Sequence, residues 1–472
     1  MKKLLSLVMV LAMALALVPG LTAVAEDIPT IKWVQQGNGK PENYDSWKAK
    51  LDAYLEEKIG VHLDLEVVNW GDWSNRRNVI INTNEPYDIM FSNLDTYVND
   101  VHLGAFADIS EAVKTAAPDL YNFIPEEYWK AVEVDGKVYG VPTYKDSSVA
   151  LFFVWDQAMI DKYEIDAENI TQLAQLDEPL RKIAEGESGP SFHLIKDGFN
   201  HILNWYDKLG TGLPLGVRFD DESRKVVSVL EQDDVMADLT LLHTWFKDGI
   251  INQDAAIRAE HPKYRPVFVE QGWSSAAKSI WGPQMGVEKA VAYPYGAVTL
   301  SNDSVQGSIS CISSSSQNLE KTLEFLQLVN TDYIVRDALF YGEEGVDFNY
   351  VEGDPDHKVD RINKEWAMAG YTQGTFFIVS QDASVEINQW EEVKELNEIA
   401  EPSVMLGFYF DFTSLEDEVS NCRSIWDKYK SELMTGTADP AVTVPEMMEE
   451  MNAAGFNDII TEAQKQIDAF YQ

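Results

Sequence analysis

The sequence predicts an α/β protein of two lobes joined by a hinge, ending in a largely helical last third, and three observations carry that prediction. The first is the stretch 135–155, DGKVYGVPTYKDSSVALFFVW. Asp135-Gly136 is a hairpin signal, and Pro142 cannot donate to a sheet ladder, so the strand around Val138 to Gly140 must stop there. After the polar elbow Thr143 to Ser148, the run Val149 to Trp155 is apolar at every position. That pattern fits a strand buried on both faces of a second sheet. Two buried strands on either side of a short polar elbow describe a hinge, and hinges between lobes adjoin ligand clefts.

The second observation is the opening of the mature chain. Residues 28–36 form a strand pattern, and Trp47, Leu51, Tyr54, Leu55 and Ile59 recur at helical spacing before Gly60, a C-cap signal. Val61, Leu63, Leu65 and Val67 then alternate with polar residues as in a half-buried strand. Strand, helix, strand is the start of an α/β sheet. A further strand, Tyr87 to Phe91, ends at Ser92-Asn93. Loops leaving the carboxyl ends of such strands meet ligands, which nominates the stretch 35–38, with Gln36 and Asn38, together with Ser92 and Asn93, the alternative being that these are ordinary turn residues.

The third is the periodicity downstream. A helix is expected over 160–186 on Leu173, Leu176, Leu180 and Ile183, and another over 235–248. The segment 210–230 has the pattern of a hairpin whose tip, Asp220-Asp221-Glu222, is a solvated turn without the spacing of a calcium loop. His243 stands without a second His at metal spacing and is assigned to a helix flank. Residues 272–311 are rich in Gly, Ser and aromatics and are taken as the return path to the first lobe. Helices follow at 319–329 and 388–399. Thr443-Val444-Pro445-Glu446 has the form of a capping box, Met447, Met448 and Met451 have the spacing of core filler, and Ile459, Ala463, Ile467 and Phe470 define a last amphipathic face.

Residues 1–25 are set apart from the fold. Lys2-Lys3, the apolar run Leu4 to Val18 and Ala23-Val24-Ala25 have the order of a secretory signal peptide, with cleavage expected before Glu26. No Cys stands at that junction, so a lipid-anchor signal is missing and an unlipidated, extracytoplasmic protein is expected. The net charge of −41 repels nucleic-acid phosphates and anionic membranes. With 45% hydrophobic and 11% aromatic residues the chain nevertheless has ample core material. Cys311 and Cys422, the two cysteines, are expected as separately buried thiols, with a single disulfide as the alternative.

No G-x-S-x-G elbow, phosphate-binding loop or H-E-x-x-H motif occurs, so no catalytic residue, metal or cofactor is assigned. The aromatics say more. Sugar rings offer an apolar C–H face and a rim of hydroxyls, which pair with flat aromatic platforms and polar side chains. Trp70-Gly71-Asp72-Trp73, Trp281-Gly282-Pro283-Gln284 and Tyr371-Thr372-Gln373 combine both, the alternative being that most of the Trp and Tyr are half-buried core.

With these residues in hand, the chain resembles the extracellular solute-binding proteins of ABC importers. The resemblance rests on NEPYDIMFSN at 84–93, DGKVYGVPTYKD at 135–146, QGSISCISSSSQNLEKTLEFLQLVNTD at 306–332 and YGEEGVDF at 341–348. From Gly407 to the carboxyl end the chain is similar to the domain of unknown function that closes one Gram-positive lipoprotein branch. The family implies a type II periplasmic-binding-protein-like fold. Its first lobe would be 28–142 plus 295–336 and its second 143–294 plus 337–472. It also implies a monomer that closes on a small ligand, a saccharide on the aromatic evidence, and presents it to permease transmembrane subunits. Tyr144, Lys145, Gln306, Gly307 and Ser308 join Ser92 and Asn93 beside the cleft, with Trp281 and Tyr371 as aromatic platforms. A secreted carbohydrate-active enzyme and a peptide or amino-acid binder of the same fold are the alternatives. Residues 366–380 depart from the Trp-x-x-Gly-Asn pattern of that branch.

Overall fold

The computed structural model describes residues 28–363, 366 and 368–471, so the expected signal peptide lies outside the described residues. In chain order the elements that position the site are β1 (Thr30–Gly37), α1 (Tyr44–Ile59), β2 (His62–Asn69), α2 (Trp73–Thr83), β3 (Ile89–Ser92), β4 (Gly140–Pro142) and β5 (Val149–Asp156). They are followed by α3 (Asp233–Lys247), β6 (Val267–Gln271), β7 (Ala290–Leu300), β8 (Ile309–Ile312), α4 (Leu319–Thr331) and α5 (Tyr333–Tyr341). The last part holds α6 (Gln389–Glu398), β9 (Glu401–Pro402), α7 (Glu416–Met434), α8 (Pro440–Ala453) and α9 (Phe456–Phe470).

Two sheets organise two cores. The first has the order β2-β1-β3-β8-β4, with β1 parallel to both β2 and β3 and β8 antiparallel to β3 and β4. Strict alternation brings Leu63, Leu65 and Val67 into its core, and Gly60 closes α1 in the left-handed conformation at φ 68°, where a side chain would be strained. The second sheet has the order β6-β5-β7-β9. Its centre is β5, the apolar run 149–156, flanked antiparallel by β6 and β7. The last three helices close over this lobe, burying Cys422, Trp426, Met447, Met451, Ile459 and Ile467 in its core. Cys311 sits in the first core, and both cysteines are free, buried thiols.

Several expectations require correction. Residues 337–472 were expected together on the second lobe, but Leu339, Trp366 and Met368 pack in the first core, where Trp366 lies 5.6 Å from Trp47. The cause is local. The Asp332 side chain accepts from Ile334 N, so α5 starts immediately after α4 and its Val335/Leu339 face is held on the same lobe. The helix expected over 160–186 is interrupted, because Glu164 takes a left-handed φ of 50° and the regular helix resumes at Asp177–Glu187. The capping box at Thr443 is not used: α8 is capped four residues earlier, with Asp439 accepting from Ala441 N and Pro440 in its first turn. Asp followed by Pro is the stronger start signal, and Pro445 is carried inside the helix. Phe470 is about half exposed while Ile459, Ala463 and Ile467 are buried.

The chain passes between the lobes at 142–149, again at 300–309, and a third time before β9, which lies parallel to the end of β7. Asn397 of α6 clips the first crossing: its Oδ1 accepts from Ser148 N at 3.1 Å and its Nδ2 donates to Lys145 O at 2.5 Å.

Candidate functional site

Sheet register gathers the nominated loops on one rim. The carboxyl ends of β1, β2 and β3 are neighbours, Ile309 at the start of β8 pairs with Ser92, and the same Ile309 pairs with Pro142 at the end of β4. The segments 36–38, 69–70, 92–93, 142–143 and 306–308 therefore share an edge of the first lobe. In the second lobe, Val149 pairs with Thr299 and Leu151 with Gln271, so the hinge end of that sheet faces the same crossings.

On the first lobe, Trp70 follows β2 with 44% of its surface exposed. Its indole N–H donates to Asn38 Oδ1 at 2.6 Å, and its ring stacks on Tyr371 with centroids 6.1 Å apart and planes 18° from parallel. Phe91 meets the other ring edge-on at 6.1 Å. Thr372 Oγ1 lies 3.4 Å from Gln36 O, and Gln373 Nε2 donates to Gln35 Oε1 at 3.3 Å. Asn38 and Tyr371 thus meet at Trp70, a flat half-exposed platform, with Gln36 joined through Thr372; these residues stand on the rim and do not line the cavities between the lobes.

The next group is largely scaffold. Ser92, Gln306 and Ser308 are buried. Gln306 donates to Ala131 O at 2.8 Å and its own carbonyl accepts from Leu94 N at 2.8 Å. Ser92 Oγ lies 3.2 Å from Thr96 Oγ1. Ser308 Oγ donates to Tyr371 O at 2.7 Å, lies 2.9 Å from Thr143 Oγ1, and the Ser308 carbonyl accepts from Thr143 N. Asn93 is half-buried, with Nδ2 donating to Asp95 at 3.4 Å, and Gly307 is exposed, with room for a Cβ in ordinary contact with Ser304 O at 3.6 Å.

Two linked cavities lie where the lobes meet. One of about 580 Å³ is lined by Leu94, Val98 and Asn99 from the first lobe and by Leu209, Tyr409 and Phe412 from the second, with Gln306 on its wall. The other, about 380 Å³, is lined by Lys145, Asn204, Gln271, Ser301 and Ser304. Asp207, Lys208 and Asp303 border both. A third cavity of about 260 Å³ continues past Asp146 and Gln271 to Trp273.

The shared trio sets the electrostatics. Asp207 accepts from Ser403 Oγ at 2.8 Å and Leu209 N at 3.2 Å, while burial raises its pKa. Burial lowers that of Lys208. Asp303 stands in the helical turn Asn302–Val305, which Ser301 caps by accepting from Ser304 N at 3.2 Å. Burial, then the nearby Asp207, pushes Asp303 up to about 6. Among the described residues, neither the Lys208 ammonium nor the Asp303 carboxylate has a hydrogen-bond or ion-pair partner. A free donor and a free acceptor on the wall of a cleft are suited to a ligand rich in hydroxyls.

Two residues expected at the cleft lie elsewhere. Tyr144, 4% exposed, sits in the first core with Tyr128 at 5.0 Å and Phe377 at 4.6 Å edge-on, and burial raises its pKa to about 12. Trp281, 6% exposed, ends a helical turn packed on Phe152, Val154 and Phe268 of the second sheet. Neither borders the three cavities. Lys145 does, with its Nζ 2.9 Å from Asp146. Sequence reasoning missed Lys208 and Asp303. Their signals were an aromatic-rich turn, Trp205-Tyr206-Asp207-Lys208, and the helix-start pattern Ser301-Asn302-Asp303-Ser304 directly after a strand.

Residues 38–283 match the bacterial extracellular solute-binding protein family, and residues 404–472 match a domain of unknown function, DUF3502. The chain is 29% identical over 452 residues to a carbohydrate ABC transporter substrate-binding protein of Streptococcus pneumoniae, covering 94% of this chain and 91% of that one. A crystal structure of the N-glycan transport solute-binding protein NgtS from S. pneumoniae superposes with a TM-score of 0.80 at 29% identity, covering 94% of this chain and 99% of the other. The complex of NgtS with Man1GlcNAc gives 0.68 at 28% identity, with the same coverage.

Proposed function

This chain belongs to the bacterial extracellular solute-binding proteins, and on that premise we propose that it is the extracytoplasmic substrate-binding component of an ABC importer, acting as a monomer that closes its lobes on an oligosaccharide and presents it to membrane permease subunits. One observation carries the ligand class. The interlobe cavities share an unpartnered Lys208 and Asp303, and an exposed Trp70–Tyr371 stack stands on the first-lobe rim. Hydroxyls can bridge the charged pair while the apolar face of a ring lies on Trp70. The glycan complex of the similar NgtS protein supports the same class.

Closure is a population shift: a ligand touching both lobes stabilises the closed state by its differential contacts. The lower TM-score against the Man1GlcNAc complex, 0.68 against 0.80, is in the direction that a change of lobe angle would produce.

The test is a calorimetric and thermal-shift panel of a mannose–N-acetylglucosamine disaccharide, larger mannosyl glycans, short peptides and polyamines, with chromatography of each mixture afterwards. A saccharide at about 100 times its Kd should add ~2.7 kcal/mol of stability and be recovered intact. Binding of peptides alone, or hydrolysis of the saccharide, contradicts the proposal.

A further inference from the structure

Arg336 on α5 has none of its surface exposed. Its Nε donates to Thr375 O at 2.6 Å and its Nη1 to Gln373 Oε1 at 3.1 Å, while Nη2 donates to Gly370 O at 3.0 Å and Gly374 O at 3.2 Å. All four acceptors belong to the single segment 370–375. The guanidinium lies 5.3 Å from the Phe340 ring centroid and 5.7 Å from that of Phe376. Among the described residues no carboxylate stands within ion-pair distance of it. The neighbouring Asp337 acts on the guanidinium only through space, its oxygens accepting from Tyr350 OH and Ser380 N. An arginine buried without a contact ion pair is costly, and an apolar side chain of similar size would fill the space more cheaply. The rigid fork of five donors is what a hydrocarbon, or a lysine, cannot supply.

The segment so held carries the first-lobe part of the site. Tyr371 backs Trp70 through its ring and accepts from Ser308 through its carbonyl, and Ser308 meets Thr143 at the start of the hinge elbow. Gln373, gripped by Arg336, donates in turn to Gln35 beside the carboxyl end of β1. We infer that Arg336 is a positioning residue of the saccharide site: it fixes the segment 370–375 so that Tyr371 supports the Trp70 platform and ties the platform to the hinge through Ser308. The inference rests on the saccharide reading for its effect on affinity, but not for its effect on the loop.

Two measurements on the intact chain separate these. Amide exchange of the ligand-free protein, followed by mass spectrometry, should accelerate at least ~10-fold at 370–375 in Arg336→Lys, with the rest of the first lobe unchanged. Gln373→Ala, which leaves the arginine in place, should act in the same direction and more weakly, and serves if Arg336→Lys does not fold. Calorimetry with the mannose–N-acetylglucosamine disaccharide should show ~10-fold weaker binding for Arg336→Lys, and less than ~2-fold further loss when the same change is made on a Tyr371→Ala background. Unchanged exchange at 370–375 overturns the inference whatever the ligand. Intact affinity in Arg336→Lys alongside a loss in Tyr371→Ala also overturns it, as does an undiminished loss on the Tyr371→Ala background. A parent chain that does not bind the disaccharide removes the saccharide reading instead, and the exchange result still decides whether Arg336 holds the loop.

Discussion

Replacing Asp303 by Asn should stabilise the ligand-free protein while weakening its ligand. The carboxyl is raised from 3.8 to about 6, first by burial and then by Asp207, so the folded state holds its proton more tightly than the unfolded chain does. Stability from this group is fully present below pH ~4 and is lost as the pH rises through about 6. At pH 7 the full cost of a buried, unpaired carboxylate is in place. At about 1.4 kcal/mol per pH unit the ceiling is ~3 kcal/mol, and partial exposure of the side chain reduces it to ~1–2 kcal/mol. The Asp303→Asn change would remove that cost, raising Tm at pH 7 by ~1–2 °C and by nothing at pH 4. A hydrogen bond from a sugar hydroxyl to a charged acceptor contributes ~1.5–3 kcal/mol, so affinity should fall ~10–100-fold. Thermal melts at pH 4 and 7 and titration with the disaccharide measure both. A variant that melts lower at pH 7, or binds as tightly as the parent, refutes the assignment of Asp303 to the cleft wall.

Other outcomes follow from burial and from export. Trp281→Ala and Tyr144→Ala should each cost ~3–5 kcal/mol in denaturant unfolding, because both side chains are core, and the folded fraction should bind saccharide normally. Trp70→Ala should do the opposite, weakening saccharide by ~1–3 kcal/mol with Tm nearly unchanged; a large stability loss would reassign Trp70 to the core. Mass spectrometry of the exported protein should find an unlipidated chain beginning at Glu26, and a lipid-bearing or uncleaved terminus would contradict that expectation.

Local pattern made the architecture legible. Alternation at 61–67 marked an edge strand of the first sheet, with the helix and strand around it, and the unbroken apolar run 149–155 marked the centre of the second. The return path was legible only as irregular composition; Pro294 and Gly296 concealed the eleven-residue strand β7. Site residues were harder. Trp70 and Trp281 have the same Trp-Gly context, yet one follows the carboxyl end of a parallel strand and the other ends a helical turn under a sheet. Lys208 follows the short strand Tyr206–Asp207 and Asp303 stands in a single helical turn, and the patterns around them mark local structure without showing that the two meet. Only the crossing of distant segments buries them together. The lobe assignment of 337–380 likewise depends on contacts across hundreds of residues, such as Trp366 on Trp47 and Gln373 on Gln35.

Small-angle scattering on the intact protein, with and without a mannosyl glycan at a concentration shown by calorimetry to saturate it, tests the closing cleft most directly. Ligand that bridges the Lys208–Asp303 wall and the Trp70 rim should draw the lobes together and lower the radius of gyration at constant mass. A saturated protein whose scattering curve matches the ligand-free one would contradict the account.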